Sequence, residues 1–356
     1  MSPPASSPQS ATETAGGVSP APRSRRDRAA ALLAKPVLRS IARRLPRWRG
    51  VVVLNYHRIG TSDGQPWDRT LWNADAESFD AQLATLARHA DVLAPQDAER
   101  FAREDRPGRR VLLTFDDGYR DNYEIAYPLL RRHGLTATFF PATGFLDRVR
   151  AAWWDELAWM VRHATRERIP AGDPFPYALS LGPEQDGTIA ALAARYKELS
   201  DEDTEPFLVA VAAATGAGRC EPSHCRELWM TWEMLRELQA AGMQIGGHTV
   251  THPILARLPL ERQREEIDGC AERLEQELGR PMSWFAYPVG ARDSFTAQTQ
   301  QLLAERGVRL AFSFYGGFAS YARWNALDVP RIHVSASHGP ELLQAMLWLP
   351  RLLARW

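Results

Sequence analysis

Short apolar runs alternate with helical patterns over most of this 356-residue chain. The runs have the length and the β-branched and aromatic content of strands, and the segments between them repeat apolar residues every three or four positions. The strand-like runs cover residues 51–56, 110–115, 137–142, 243–248, 283–288, 309–314 and 329–334. The helical patterns cover residues 76–90, 120–133, 231–241, 260–278 and 296–306. This alternation predicts an α/β fold with a parallel sheet, and so many units over residues 50–340 favour a barrel.

One long segment breaks this rhythm. Residues 145–230 begin with "WWDELAWMVRHA" and continue as a Pro-, Gly- and Ala-rich helical stretch. We interpret this segment as a helical insertion on the barrel. Its Trp153-Trp154-Asp155 could stack a sugar ring at the barrel mouth, although packing of the insertion against the barrel is the plainer explanation.

The two ends of the chain differ from the middle. Residues 1–28 are rich in Pro, Ser, Ala and Thr and are expected to form a disordered leader, and residues 29–49 are expected to form a basic amphipathic arm. Residues 341–356 are predicted to form a C-terminal helix that packs on the barrel, with Pro340 at its start. The apolar stripe of this helix would be Leu342, Met346, Leu349, Leu353 and Trp356.

Charge is balanced overall but not locally. The formal net charge is zero, which argues against general nucleic-acid binding, yet residues 1–50 hold ten Lys/Arg and two acids. The basic arm could contact an anionic membrane surface, or it could pack on its own domain. The leader lacks the order of a secretory signal, and no run reaches the ~18 apolar residues of a spanning helix. We therefore expect a cytoplasmic protein, with peripheral membrane association through the basic arm as an open alternative.

The three cysteines give no disulfide framework. Cys220, His224 and Cys225 are close in sequence, but a second ligand pair is missing. Reduced structural thiols are therefore preferred over a zinc site there.

Unusual polar residues follow four of the predicted strands. "TFDDG" ends with Asp116, Asp117 and Gly118, and "GGHTVTH" carries His248 and His252. The remaining two ends are "LNYH", which contains His57, and "FAYPVG", residues 285–290. The carboxyl ends of parallel barrel strands meet at one mouth, so these side chains are expected to converge.

Two adjacent buried aspartates need a cation or a shared proton. One carboxylate and two imidazoles are a sufficient protein ligand set for a divalent metal, and the second aspartate could then serve as a general base. Glycines, β-branched residues and Pro253 around His248 and His252 favour a ligating loop over a helix. Taken singly, Asp-Asp-Gly is usually a surface turn, His-x3-His is often two unrelated histidines, and His57 could be structural.

Together these motifs resemble the polysaccharide deacetylase family, the NodB-homology or carbohydrate esterase family 4 group, over roughly residues 50–340. "TFDDG" is similar to the first family motif and "HTVTH" to the second, His-Ser/Thr-x-x-His. "YPVG" is an imperfect version of the third, Arg-x-Pro-Tyr-Gly. The resemblance implies a distorted (β/α)7 barrel that removes N-acetyl groups from sugar amines with the help of a metal.

The resemblance also implies roles for individual residues. Asp116 would be the catalytic base, and Asp117, His248 and His252 would bind the metal, with zinc as the expected ion. After the fifth strand, Tyr287, Pro288 and Val289 would bind substrate, and the Pro288–Val289–Gly290 turn would offer a backbone N–H to the oxyanion.

Two departures from the family pattern affect these roles. The arginine of the third motif falls on Ala286, and Arg331, at another strand end, could replace it or be structural. A late Leu-x-His motif that would supply the general acid is not clear. The chain is similar in this respect to a circularly permuted branch, in which the histidine strand comes first. His57 is then the candidate acid, with His333 and His338 as rivals.

The predicted function is metal-dependent hydrolysis of acetamide groups on N-acetylated amino sugars, in a polysaccharide or its precursor, with release of acetate. The expected partner is an N-acetylated glycan. Two alternatives are a metal-dependent amidohydrolase acting on a non-sugar amide and a non-catalytic carbohydrate-binding barrel.

Overall fold

The computed structural model describes residues 47–103, 105–147, 149–183, 185–335 and 338–353. Within these ranges, seven strands form one closed ring in which each strand pairs in parallel with the next one along the chain, and the last pairs with the first. They are β1 (Gly50–Tyr56), β2 (Arg110–Asp117), β3 (Thr138–Pro141), β4 (Gln244–Ile245), β5 (Trp284–Ala286), β6 (Leu310–Ser313) and β7 (Val329–Pro330 with Ile332–His333). The predicted α/β barrel is thus confirmed, and each of the seven predicted strands is present: β1 and β2 are longer than predicted, and the other five are shorter or interrupted.

The ring closes at a strand that is interrupted once. The first half of β7 pairs with β6 through Val329, and its second half pairs with β1 through Ile332. Arg331 occupies the break between the two halves. On the opposite side, β4 joins β5 through a parallel bridge between Gly247 and Phe285. A Cβ on Gly247 would lie 2.2 Å from the sulfur of Met282, so this close approach requires glycine.

Helices cover the outside of the barrel and build the insertion. They are α1 (Ala76–His89), α2 (Pro95–Arg103), α3 (Tyr127–Arg132), α4 (Thr143–Asp147), α5 (Trp153–Arg162), α6 (Gln185–Glu198), α7 (Asp201–Thr215), α8 (Trp232–Ala240), α9 (Leu260–Leu278), α10 (Ala297–Glu305), α11 (Pro340–Trp348) and α12 (Pro350–Leu353). A π-helical turn spans Asn122–Ala126, and short 3-10 segments span Arg69–Leu71, Pro222–Cys225, Leu255–Arg257 and Tyr321–Arg323. Short extra strands are Arg58–Ile59, Trp72–Ala74, Asp91–Val92, Arg168–Ile169, Leu179–Ser180 and Ala319–Ser320.

Several predicted boundaries differ from the observed ones. Strand β2 continues two residues past the predicted end at position 115 and includes the aspartate pair. The predicted helix over residues 120–133 is a π-helical turn followed by α3. The predicted C-terminal helix is broken after Trp348, because Pro350 has no N–H to continue the ladder and begins a new turn.

The insertion packs on the barrel mouth through a second apolar core. The Trp229 ring stacks on Tyr119, two residues beyond β2, at a centroid distance of 4.6 Å and on Phe145 of α4 at 4.7 Å. Helices α5, α6 and α7 contribute further buried residues to this cluster. The insertion therefore lies where the carboxyl ends of β2 and β3 emerge.

The predicted leader and nearly all of the basic arm, residues 1–46, lie outside the described residues, as does Trp356. The described part of the C-terminal stripe is mostly buried: Leu342, Met346 and Leu353 belong to the main core. The indole N–H of Trp48 donates to the carbonyl of Leu347 at 2.8 Å, which ties this end of the chain to the entry of β1. Among the helices in the described ranges, none combines the length and apolarity needed to cross a bilayer.

Candidate active site

The aspartate pair ends β2 inside the barrel mouth. Asp116 and Asp117 are each 2% exposed and pair in register with Phe140 and Pro141 of β3. The backbone then turns sharply: Asp117 has a φ of 71° and Gly118 a φ of 90°. A Cβ on Gly118 would lie 2.9 Å from the Cβ of Pro141, so the turn requires a glycine there.

Arg331 binds the first aspartate with both arms of its guanidinium. Its two terminal nitrogens lie 2.6 and 2.8 Å from the two carboxylate oxygens of Asp116, and the arginine is fully buried. Burial acts to raise the pKa of Asp116, but the charge of Arg331, aided by His248, outweighs it and holds that pKa below its usual range. Asp116 is therefore an anion whose orientation is fixed.

Further hydrogen bonds surround the Asp116–Arg331 ion pair. The Asn55 side chain donates to Asp116 at 3.1 Å and accepts from Arg331 at 2.8 Å, and Thr114 donates to Asn55 at 2.7 Å. The backbone carbonyl of Ser313 accepts from Arg331 at 3.1 Å. Asn55 and Thr114 were not identified from the sequence, although each is a polar residue within an apolar strand pattern, and such a residue often has a buried polar partner.

The two histidines lie on a loop, as the sequence indicated. Thr249 and His252 have positive φ values of 65° and 59°, and the Thr249 hydroxyl accepts from the His252 amide at 2.9 Å. Glu266 of α9 anchors the loop by accepting from the amides of Val250 and Thr251, both at 2.8 Å. Glu266 is buried and was not identified from the sequence, where it reads as one acid among several on a helix.

Backbone strain is concentrated around this cavity. In the described ranges, the non-glycine residues with positive φ are Asp117, Thr249, His252 and Val289. Asp117 is the last residue of β2, and the other three belong to the turns that follow β4 and β5. Such conformations cost roughly 1–3 kcal/mol each and persist where the surrounding structure enforces them, as at ligand-binding and active sites.

Asp117, His248 and His252 converge as a buried group. Oδ1 of Asp117 lies 3.4 Å from Nε2 of each histidine, and the three ligand atoms all lie within 4.8 Å of one another. Among the described residues, Asp117 Oδ1 has no hydrogen-bond partner although it is buried. Two ligand atoms bound at about 2.0–2.1 Å to a tetrahedral ion would be about 3.4 Å apart, so the group fits a small divalent cation.

Hydrogen bonding, burial and nearby charges set the protonation of the two histidines. His248 Nδ1 lies 2.7 Å from the carbonyl of Ala286, an arrangement that directs Nε2 toward Asp117. Burial, reinforced by the charge of His248, lowers the pKa of His252 to about 3, so that His252 is neutral. Burial acts to raise the pKa of Asp117, but the interactions of its carboxylate with His248 and His252 outweigh burial and lower that pKa. Burial acts to lower the pKa of His248, but the charges of Asp116 and Asp117 outweigh it and raise that pKa. A divalent cation bound here would therefore displace a proton from His248.

The cavity above this group has a volume of about 400 Å³. His57 and His333 both line it, on either side of Phe314, with ring centroids 5.5 and 5.9 Å from that ring. His338 is not among its lining residues in the described part of the chain; its Nδ1 accepts from the Ser335 amide at 2.7 Å. Burial, with the charges of His57 and His338, lowers the pKa of His333 to about 4.

The predicted substrate-binding turn reaches the cavity in part. Tyr287 and Val289 line it, whereas Pro288 is not among the described lining residues. The Tyr287 hydroxyl donates to the Leu327 carbonyl at 2.8 Å and its ring stacks on Phe295 at 3.8 Å, so its polar group is already engaged. The insertion contributes Trp153 and Trp154 to the same wall, so these rings both pack and face the cavity.

Comparison with known proteins agrees with this architecture. The family model described as polysaccharide deacetylase matches residues 103–166 and 206–312. The chain belongs to the polysaccharide deacetylase family. The matched segments contain Asp116, Asp117, His248 and His252, whereas His57 on the β1 side and Arg331 in β7 lie outside them.

Individual relatives of this deacetylase-family chain are distant. YxkH of Bacillus subtilis (strain 168), assigned as a polysaccharide deacetylase, is 34% identical over 91 residues, which cover 25% of this chain and 30% of YxkH. The chain thus spans less than a third of that relative.

Two solved structures share the fold at low sequence identity. The Streptococcus pyogenes deacetylase PplD, in complex with acetate, has a TM-score of 0.56 and 20% identity, covering 84% of this chain and 98% of PplD. IcaB from Ammonifex degensii has a TM-score of 0.53 and 22% identity, covering 85% of this chain and 98% of IcaB.

Proposed function

We propose that this protein is a metal-dependent N-deacetylase that hydrolyses acetamide groups of N-acetylated amino sugars in a polysaccharide or its precursor. The observation that carries the proposal is that the two adjacent aspartates have different partners. Asp116 is bound by Arg331, whereas Asp117 lies 3.4 Å from two imidazole nitrogens. One carboxylate is thus available as a base and the other as a ligand.

Asp117, His248 and His252 would hold the cation, with zinc as the expected ion. The bound ion supplies a Lewis acid that polarises the acetamide carbonyl and acidifies water. Asp116 takes the proton from the attacking water at the carboxylate that Arg331 orients. Because the pKa of Asp116 is held below its usual range, it is deprotonated before each turnover.

The turn after β5 would stabilise the oxyanion. The amides of Tyr287 and Gly290 donate to the carbonyls of Phe312 and Pro288 at 3.0 and 2.6 Å, and proline has no N–H. Val289 lines the cavity and is therefore the candidate donor to the carbonyl oxygen.

His57 would give a proton to the departing amine, which is otherwise a poor leaving group. Asn73 holds the start of this segment, because its side-chain oxygen accepts from the His57 amide at 2.5 Å. His333 is the weaker candidate because its lowered pKa, about 4, leaves it neutral near pH 7.

The test of the proposed function is acetate release from a panel of N-acetylated oligosaccharides and small non-sugar amides. We expect one divalent metal per chain, release from the sugars, and loss of release after treatment with a chelator. Activity should return when zinc is added back. Equal activity on non-sugar amides would favour a different amidohydrolase, and a folded chain that binds sugar without stoichiometric metal would favour a binding protein.

The assignment of the general acid can be tested with His57→Gln and His333→Gln. We expect His57→Gln to lower kcat about 10²–10⁴-fold on the acetamide, with little change in KM. His333→Gln should change kcat far less. Kinetics with an activated aryl acetate provide the control, because an aryloxide leaves without a proton and His57→Gln should then be nearly as fast as the wild type. A larger loss in His333→Gln would reverse the assignment.

A further inference from the structure

The two histidines near Asp117 are oriented by different means. His248 Nδ1 contacts the Ala286 carbonyl at 2.7 Å. His252 Nδ1 is buried and has no hydrogen-bond partner among the residues that the structure describes. Its ring instead packs against the Trp154 ring in a T-shaped arrangement, at a centroid distance of 4.4 Å and an interplanar angle of 67°. The orientation of His252 thus depends on a residue of the insertion.

Trp154 is itself fixed by a buried chain of hydrogen bonds. Its indole N–H donates to the Tyr119 hydroxyl at 2.7 Å, and that hydroxyl donates to Asp155 Oδ2 at 2.7 Å. The other oxygen of Asp155 accepts from the Asp68 amide at 2.9 Å. Asp155 is fully buried, and each of its oxygens has a donor.

This chain of hydrogen bonds joins three segments that are separate in the sequence. Tyr119 belongs to the turn after β2, Trp154 and Asp155 to the insertion helix α5, and Asp68 to the segment that precedes α1. The ring of Tyr119 is held in addition by stacking on Trp229 and by the guanidinium of Arg58, 4.4 Å from the ring centroid. A rigid hydroxyl is therefore presented to both Trp154 and Asp155.

We propose that Asp155 is a positioning residue for the metal site: acting through Tyr119 and Trp154, it fixes the ring of His252 in the orientation that ligation needs. The proposal rests on the metal site of the proposed function. In most metal sites a hydrogen bond to the second ring nitrogen orients a histidine ligand. Here contact with the Trp154 ring, which Asp155 holds through Tyr119, takes the place of that bond.

The test is binding of Co²⁺, whose visible absorption reports coordination geometry, to Asp155→Asn and Tyr119→Phe. Loss of an outer partner typically weakens metal affinity 10–100-fold. We expect a loss of that order in both variants, with a changed absorption spectrum. The two losses should not add in the double variant, because both break the same chain of contacts.

Glu156→Gln is the matched control. Glu156 is the next buried acid on α5, but it accepts from Arg219 at 2.7 and 2.9 Å and has no part in the hydrogen bonds that join Asp155, Tyr119 and Trp154. This variant should lose stability yet keep the cobalt affinity and spectrum of the wild type. Unchanged cobalt binding in folded Asp155→Asn would overturn the positioning role alone. Failure of the wild type to bind cobalt would overturn the proposed metal site as well.

Discussion

Asp116→Asn is expected to bind one zinc ion per chain, as the wild type does, while releasing acetate about 10²–10⁴-fold more slowly. The carboxylate of Asp116 contacts Arg331 and Asn55, whereas the three candidate ligand atoms belong to other residues. Removing the base should therefore spare the ion. The measurement combines metal analysis of the purified variant with acetate release under saturating substrate.

Asp117→Asn is the matched control for this experiment. It changes the neighbouring carboxylate by the same single atom, but it removes the group that lies 3.4 Å from both imidazoles. We expect this variant to lose both stoichiometric zinc and turnover. If Asp116→Asn turned over within tenfold of the wild-type rate while folded, Asp116 would not be the base.

Arg331→Met is expected to lower the free energy of unfolding by about 3–5 kcal/mol, because it leaves a buried carboxylate without its counter-charge. Asp116→Asn should have a comparable cost, since it leaves the buried guanidinium unpaired. The double variant Asp116→Asn/Arg331→Met removes both charges together and should be more stable than either single variant. Urea unfolding followed by circular dichroism gives all three values.

An exposed ion pair provides the reference for these stabilities. Arg264 and Glu305 are 3.0 Å apart but both are about half exposed, so Arg264→Met should cost less than about 1 kcal/mol. If Arg331→Met cost as little as this reference, the buried pair would not be a determinant of stability. A double variant less stable than both singles would show instead that packing of the two side chains dominates.

The sign of the pH dependence follows from the lowered pKa of Asp116. A carboxyl group whose pKa is lower in the folded chain than in the unfolded chain binds its proton more weakly when folded. Its contribution to stability is fully present above the unfolded value, about 3.9, and is lost as the pH falls through the folded value. The stability difference between the wild type and Asp116→Asn should accordingly shrink only in acid.

The barrel was predictable because its strands obey local rules. Each strand is a short apolar run between helical patterns, and a parallel ring places all carboxyl ends at one mouth. Asp117, His248 and His252 could therefore be grouped from motifs that are 131 or more positions apart in the sequence. The role of Arg331 was harder to predict, because its neighbours in the sequence do not distinguish a buried arginine in a broken strand from an arginine on the surface.

The contacts that the sequence did not reveal are those between residues far apart in the chain. Asn55 contacts a carboxylate 61 positions away, and Tyr119 contacts Asp155 across 36 positions. Glu266 lies in a helix of many acids, and only the folded loop of residues 248–252 distinguishes it from the others. Pattern and motif identify groups that react, but the groups that orient them depend on the completed packing.

The broken seventh strand has a consequence for how the protein is made. Asp116 emerges from the ribosome 215 residues before its partner Arg331, and the ring of strands cannot close until both halves of β7 have been synthesised. Until then Asp116 has no guanidinium to hold it charged inside the mouth. A nascent or prematurely terminated chain that lacks β7 would therefore be unable to keep this carboxylate buried as an oriented anion.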